Sequence, residues 1–188
     1  MSSTYGLAWN LMVELRKEIR AAQKMRTQIM GFKIAFVSSA LGVIIGAITA
    51  NPAVSLVFVI PAITAITFDF SINSINHLIL RLGFYIRKAI EPQLALYGQW
   101  PKDKPLWEEF LCQEGARQPY GIIGSLGLTA IALMAALYPV VSFCVSGNYG
   151  LLAVATVLFT VVVILFVIDV KIYYKVKNEF PKDRELEK

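Results

Sequence analysis

The sequence lacks charged side chains over two long stretches. Residues 34–68 contain no Asp, Glu, Lys or Arg over 35 positions, and residues 118–168 contain none over 51. Charged residues make up 16% of the 188 residues and apolar residues 56%, whereas soluble domains average about 25% and about 45–50%. Because a membrane-crossing helix needs about 20 apolar residues, each stretch has room for two crossings. This composition excludes a soluble enzyme and a disordered tail.

Cysteine and histidine are nearly absent as well. The sequence contains two cysteines, Cys112 and Cys144, and one histidine, His77. Two cysteines are too few for a disulfide-stapled secreted domain. The sequence has no HExxH, CxxC, GxSxG, phosphate-binding or dinucleotide-binding motif, and no Ser, Cys or carboxylate has a plausible base beside it. We therefore expect no enzymatic activity, no catalytic residue, no bound metal and no cofactor.

The apolar runs favour helices. Residues 154–168 read VATVLFTVVVILFVI, without the alternation of a transmembrane β-strand. We predict an all-α integral membrane protein whose four transmembrane helices form two hairpins. The predicted segments are a cytoplasmic amphipathic helix (1–31), hairpin 1 (32–68), a long cytoplasmic helical segment (69–119), hairpin 2 (120–168) and a cytoplasmic tail (169–188).

Basic residues predict the orientation. The 18 Lys and Arg fall into three groups of six, before, between and after the charge-free stretches. Four crossings put all three groups on one side of the membrane, and the positive-inside rule assigns that side to the cytoplasm. Both termini are therefore expected in the cytoplasm.

Small residues recur every four positions in the first predicted crossing, at Ser38, Gly42 and Gly46. Such a stripe lets another helix approach closely. The partner is either the second crossing of the same chain or a neighbouring subunit. Pro61 falls in the middle of the second predicted crossing, where a proline kinks a helix. The kink is either a feature of shape or a gating hinge.

A polar stripe follows the second crossing, at Asp69, Asn73 and His77. Helical spacing predicts one continuous helix over residues 52–96, about 67 Å long. We expect the stripe to be a polar lumen or ligand surface on this stem, in preference to a metal site.

Several cytoplasmic basic residues are candidates for an anionic ligand such as a nucleotide or single-stranded nucleic acid. The alternative is ordinary anchoring at the membrane surface. The candidates are Arg16, Arg20, Lys24, Arg26, Arg81, Arg87 and Lys88.

Coupled transport by a single copy is disfavoured, since transporters carry ionisable groups within the membrane and the predicted crossings have none. The hydroxyl groups of the predicted crossings, Thr129 among them, are the remaining polar candidates, and many of them are expected to bond only to their own helix.

The layout of the chain resembles that of small bacterial anti-phage effectors with two or four transmembrane helices. The resemblance lies in the basic helix ELRKEIRAAQKMRTQIMGFKIAFVSSALGVIIGA, the tight hairpin, the long cytoplasmic helix and the second hairpin. The Hailong-type DNA-gated channel effector is the nearest example. The resemblance implies a bacterial inner-membrane protein that depolarises the infected cell. It also implies that this protein works with a cytosolic nucleotidyltransferase.

Four helices are too few to enclose a pathway. We therefore expect a homo-oligomer, a tetramer, surrounded by lipid and forming an ion channel that a cytoplasmic nucleotide or oligonucleotide gates. Ser38, Gly42, Gly46 and Pro61 are its expected pore or packing residues. The alternatives are a non-conducting anchor that recruits a cytosolic partner and a small solute exporter.

Overall fold

The computed structural model describes residues 2–48, 52–97 and 120–179, and nearly all of them are helical. Four helical stretches in these ranges are long and apolar enough to cross a membrane. They are Gly6–Ile48, Ala53–Leu96, Leu126–Ser146 and Tyr149–Lys175. The all-helical fold and four candidate membrane spans agree with the prediction.

Helix α1 (Ser2–Ile48) joins the predicted amphipathic helix and the first predicted crossing without a break. Gly31, at the predicted boundary between these two segments, lies inside the helix. No proline interrupts these 47 residues, so the backbone hydrogen bonds of the α-helix can continue throughout.

The chain is helical again from Pro52 to Tyr97, as the spacing predicted, but the helix type changes along it. A 3₁₀ segment (Pro52–Phe58) leads into α2 (Val59–Tyr85). A π-helical segment (Ile86–Ile90) then leads into α3 (Glu91–Tyr97).

Pro61 lies close to the change of helix type. It is the third residue of α2 and is buried, and the 3₁₀ segment ends at Phe58, three residues before it. A proline interferes least with the hydrogen bonds of an α-helix in its first turn.

Helices α4 (Tyr120–Ser146) and α5 (Tyr149–Glu179) are joined by a two-residue turn. Gly147 has a φ of 71°, a left-handed conformation that commonly ends helices. The side chain of Asn148 accepts a hydrogen bond from the N–H of Leu151 at 3.3 Å and thereby caps α5.

The chain divides into two compact units. The first contains the described residues 2–27, 74–97 and 176–179, and the second contains 28–48, 52–73 and 120–175. In the first unit, Met12, Ile86 and Ile90 form a small apolar core. The second has a larger core of Val37, Val59, Ala62, Ala65, Ile66, Ala132, Ala136 and Val162.

Part of the predicted cytoplasmic segment, residues 98–119, and the end of the predicted tail, residues 180–188, lie outside the described residues.

Candidate functional site

A charged hydrogen-bond network lies inside the second unit. The Nζ atom of Lys33 on α1 donates to Oδ1 of Asp69 on α2 at 2.6 Å. It also donates to the hydroxyl of Thr129 on α4 at 2.7 Å. That hydroxyl in turn donates to Oδ2 of Asp69 at 2.5 Å. The three side chains thus form a closed triangle that connects three helices.

A second pair brings α5 to the same network. The amide Nδ2 of Asn73, one turn after Asp69 on α2, donates to Oδ1 of Asp169 at 2.8 Å. Asp169 also interacts electrostatically with both Asp69 and Lys33. We call Lys33, Asp69, Asn73, Thr129 and Asp169 the polar network.

The polar network is almost completely removed from solvent. Lys33 and Asp169 are each 1% exposed and Thr129 is 0% exposed, while Asp69 and Asn73 are also buried. Taking charges out of water costs several kcal/mol per ion unless partners compensate. The Lys33 ammonium and the Thr129 hydroxyl compensate Asp69, because each of its two oxygens accepts a hydrogen bond from one of them.

Apolar residues that are close in sequence to members of the polar network pack against the hydrophobic core of the second unit. Phe70 follows Asp69, Leu128 precedes Thr129, and Phe166 lies almost one turn before Asp169; all three pack against the core. The low polarity of this packing strengthens the electrostatic interactions within the network.

The sequence placed these five residues in different roles. It counted Lys33 among the cytoplasmic basic residues and Asp69 and Asn73 in the stem stripe. Thr129 was one of several hydroxyl candidates in the predicted crossings, and its hydroxyl contacts two other helices. One signal was available, since Lys33, Asp69 and Asp169 each border a charge-free stretch.

His77, the third residue of the predicted stem stripe, belongs to the first unit and is half-buried. Asp69 and Asn73 belong to the second unit, so the structure divides the stripe between the units. Within the ranges that the structure describes, no three His, Cys, Asp or Glu side chains lie close enough to hold a metal ion.

The small-residue stripe of α1 is exposed. Ser38, Gly42 and Gly46 all lie on its surface, and a Cβ atom built on either glycine would meet no atom within 4 Å. In the described ranges, the stripe is therefore not a close-packed contact with the other helices of the chain.

Two of the seven predicted ligand-binding residues bond across the first unit. Arg16 on α1 forms an ion pair with Glu91 on α3, with 3.8 Å between Nη2 and Oε1. Arg26 on α1 donates to Oδ1 of Asn76 on α2 at 3.0 Å. The two basic segments predicted from the sequence therefore belong to one compact unit.

The other five basic residues lie wholly or partly at the surface of the first unit. Arg20, Lys24, Arg81 and Lys88 are exposed. The guanidinium of Arg87 is 5.9 Å from the ring centre of Phe84, a cation–π distance. Arg87 and Lys88 both lie in the π-helical segment, a helix type that is common near functional sites.

Comparison with known proteins gives no further guide to the site. No protein-family model matches the chain, and neither the curated proteins nor the solved structures include a significant match.

Proposed function

We propose that the chain is a multi-pass membrane protein that assembles into a homo-oligomeric ion channel, opened or closed by an anionic cytoplasmic ligand. The observation that carries the proposal is the polar network, because Lys33, Asp69 and Asp169 are buried charges within helices apolar enough to span a membrane. Ionisable residues in such helices are costly, and they typically mark ion or proton pathways.

Assembly is supported by the exposed stripe of α1. Ser38, Gly42 and Gly46 leave a shallow surface with open space above both glycines. Lipid chains are as apolar as leucine, so helices associate in a membrane chiefly where small residues permit close contact. A tetramer is the proposed copy number.

Ligand control is supported by the first unit. Arg20, Lys24, Arg81 and Lys88 are exposed there, and Arg87 stacks on Phe84. Basic side chains beside an aromatic ring suit a ligand that carries phosphate and bases. The resemblance to anti-phage effectors adds the proposal of a depolarising effector in a bacterial inner membrane, with a nucleotidyltransferase as its partner.

The assembly proposal is tested by Gly42→Leu and Gly46→Leu. We expect the oligomer mass in nanodiscs to fall to that of a monomer and the ion flux in liposomes to disappear. Gly127→Leu on α4 is the matched control, because Gly127 is also exposed and also has open space around it. Wild-type mass in both α1 variants would refute the role of the stripe.

The ligand proposal is tested by Arg87→Glu combined with Lys88→Glu. We expect flux that no longer responds to added oligonucleotide or nucleotide, with assembly unchanged. Lys171→Glu combined with Lys175→Glu makes the same change of charge on exposed positions of α5 and should leave the response intact. An unchanged response in the variant with both Arg87 and Lys88 replaced would remove these residues from the proposal.

A small solute exporter is the second candidate, and the polar network favours it more than the sequence did. Exporters need ionisable groups within the membrane, and the network supplies two carboxylates and an ammonium. Substrate-dependent uptake into inverted vesicles, without channel conductance, would support the exporter. A stoichiometric cytosolic partner and an undisturbed membrane potential would instead support a non-conducting anchor.

A further inference from the structure

We propose that Asp169, together with Asn73, forms a binding site for one monovalent cation, either a proton or an alkali-metal ion. The site lies within the second unit, and its occupancy does not depend on assembly or conduction. The proposal therefore goes beyond the proposed function and can be tested separately from it.

The first argument is the balance of charge. In the described part of the second unit, the charged side chains in the buried class are Lys33, Asp69 and Asp169. One ammonium faces two carboxylates, so the polar network has an excess of one negative charge when all three groups are ionised. A buried excess charge is expensive in an apolar environment, and one bound cation removes it.

The second argument is the division of hydrogen bonds between the carboxylates. Both oxygens of Asp69 accept hydrogen bonds, Oδ1 from Lys33 and Oδ2 from Thr129. The partner of Asp169 is the neutral amide of Asn73, which contacts Oδ1. Lys33 thus neutralises Asp69 by direct contact, and the unbalanced charge falls on Asp169.

The third argument is the set of polar groups on the helices around Asp169. Lys33 on α1 attracts its negative charge, and Asp69 on α2 repels it. Asn73 on α2 holds its orientation, and Thr129 on α4 is already occupied by Lys33 and Asp69. On α5 itself, Lys171 is exposed. The Lys33 ammonium lies 2.6 Å from Asp69 and neutralises that carboxylate. A second cation, bound at Asp169, would neutralise the other one.

The test is an NMR titration of the full chain in nanodiscs with the aspartate carboxyl carbons labelled with carbon-13. The sequence contains four aspartates, Asp69, Asp103, Asp169 and Asp183. Conversion of each to Asn assigns its signal. If Asp169→Asn fails to fold, the other three variants assign the Asp169 signal by elimination.

Two arms of the titration distinguish the sources of the cation. One arm varies pH at constant sodium, and the other varies sodium against choline at constant pH. The pH arm runs from about 5 to 8, where exposed aspartates stay ionised, and we expect the Asp169 signal to show a one-site transition in at least one arm. A proton moves it in the first arm alone, and an alkali-metal ion moves it in the second as well.

Asn73→Leu provides a further check, since the loss of the amide should move the midpoint of the Asp169 transition without abolishing it. Glu14→Gln is the matched control on an exposed carboxylate and should leave the transition unchanged. An Asp169 signal that stays constant in both arms would overturn the proposal. A titrating Asp169 in a chain that conducts no ions would instead refute the channel and leave the cation site standing.

Discussion

Two ion pairs in this chain have nearly the same length and opposite surroundings. Lys33 and Asp69 are 2.6 Å apart in the second unit, with side chains 2% and 5% exposed. Lys17 and Glu14 are 2.7 Å apart in the first unit, with side chains 61% and 64% exposed. Distance does not separate the two pairs, but solvent does. Water screens the exposed pair and replaces either partner when one is lost, whereas the buried pair has only its protein neighbours.

The two units also differ in how their charged side chains are placed. Buried charge in the second unit is held by contacts between four helices, which makes it part of the packing. Many of the basic side chains of the first unit are exposed, so charge there remains accessible to ligands or to lipid headgroups. The comparison predicts that loss of a polar contact costs more stability in the second unit than in the first, and four substitutions test this difference.

The largest effect is expected from Lys33→Met. Removal of the ammonium leaves Asp69 as a buried charge with its main partner lost, which costs about 3–5 kcal/mol. The free energy of unfolding in detergent micelles measures this loss. The double variant Lys33→Met with Asp69→Leu should recover most of it, because a buried pair is often replaced by apolar groups at little cost. A single variant as stable as the wild type would break the comparison.

A smaller loss is expected from Thr129→Val. The valine keeps the volume but removes the hydroxyl that accepts from Lys33 and donates to Asp69, at a cost of about 1–3 kcal/mol. Thr160→Val is the matched control, because the hydroxyl of Thr160 bonds at 2.8 Å to the carbonyl of Thr156 on its own helix. Equal losses of stability in the two variants would show that the bonds of Thr129 to other helices stabilise the protein no more than a bond within one helix.

Arg26→Met in the first unit should cost about 1 kcal/mol. It removes a half-buried hydrogen bond to Asn76 while the stem of the methionine retains much of the packing. Lys24→Met, at an exposed position two residues earlier, serves as the control. Thermal unfolding of both variants gives the comparison, and a loss as large as that of Lys33→Met would remove the distinction between the units.

The smallest effect is expected from Lys17→Met, which breaks the exposed pair with Glu14. Pairs three residues apart on a helix contribute about 0.2–0.5 kcal/mol, and salt weakens them further. Denaturant titration at low and high salt measures the difference. A loss of several kcal/mol would show that distance, rather than burial, determines the strength of these pairs.

Much of the fold was predictable, because it depends on local properties of the chain. Two stretches of 35 and 51 residues contain no charge. In lipid, a helix lets such a segment form all of its backbone hydrogen bonds internally. The long helix after residue 52 follows in the same way. The change of helix type near Pro61 was not foreseen, since nothing local showed that a 3₁₀ segment would precede α2.

The polar network was not predictable to the same degree. Its bonds join residues separated by 36 to 96 positions in the chain. A charge at the end of an apolar run usually lies at the interface, so nothing local to Lys33 or Asp169 indicates a buried position. Only the packing of α1, α2, α4 and α5 distinguishes a buried charge from an anchoring one.

The sequence by itself determined that this protein is helical and apolar enough to span a membrane, since hydropathy and backbone hydrogen bonding act over neighbouring residues. The sequence also determined that residues 34–68 and 118–168 contain no charged side chain. The tertiary structure decided that Lys33, Asp69 and Asp169, at three of the four borders of these stretches, meet inside the second unit. That outcome depends on which helix faces which, and the free energy of a charge depends on the partners that this packing provides.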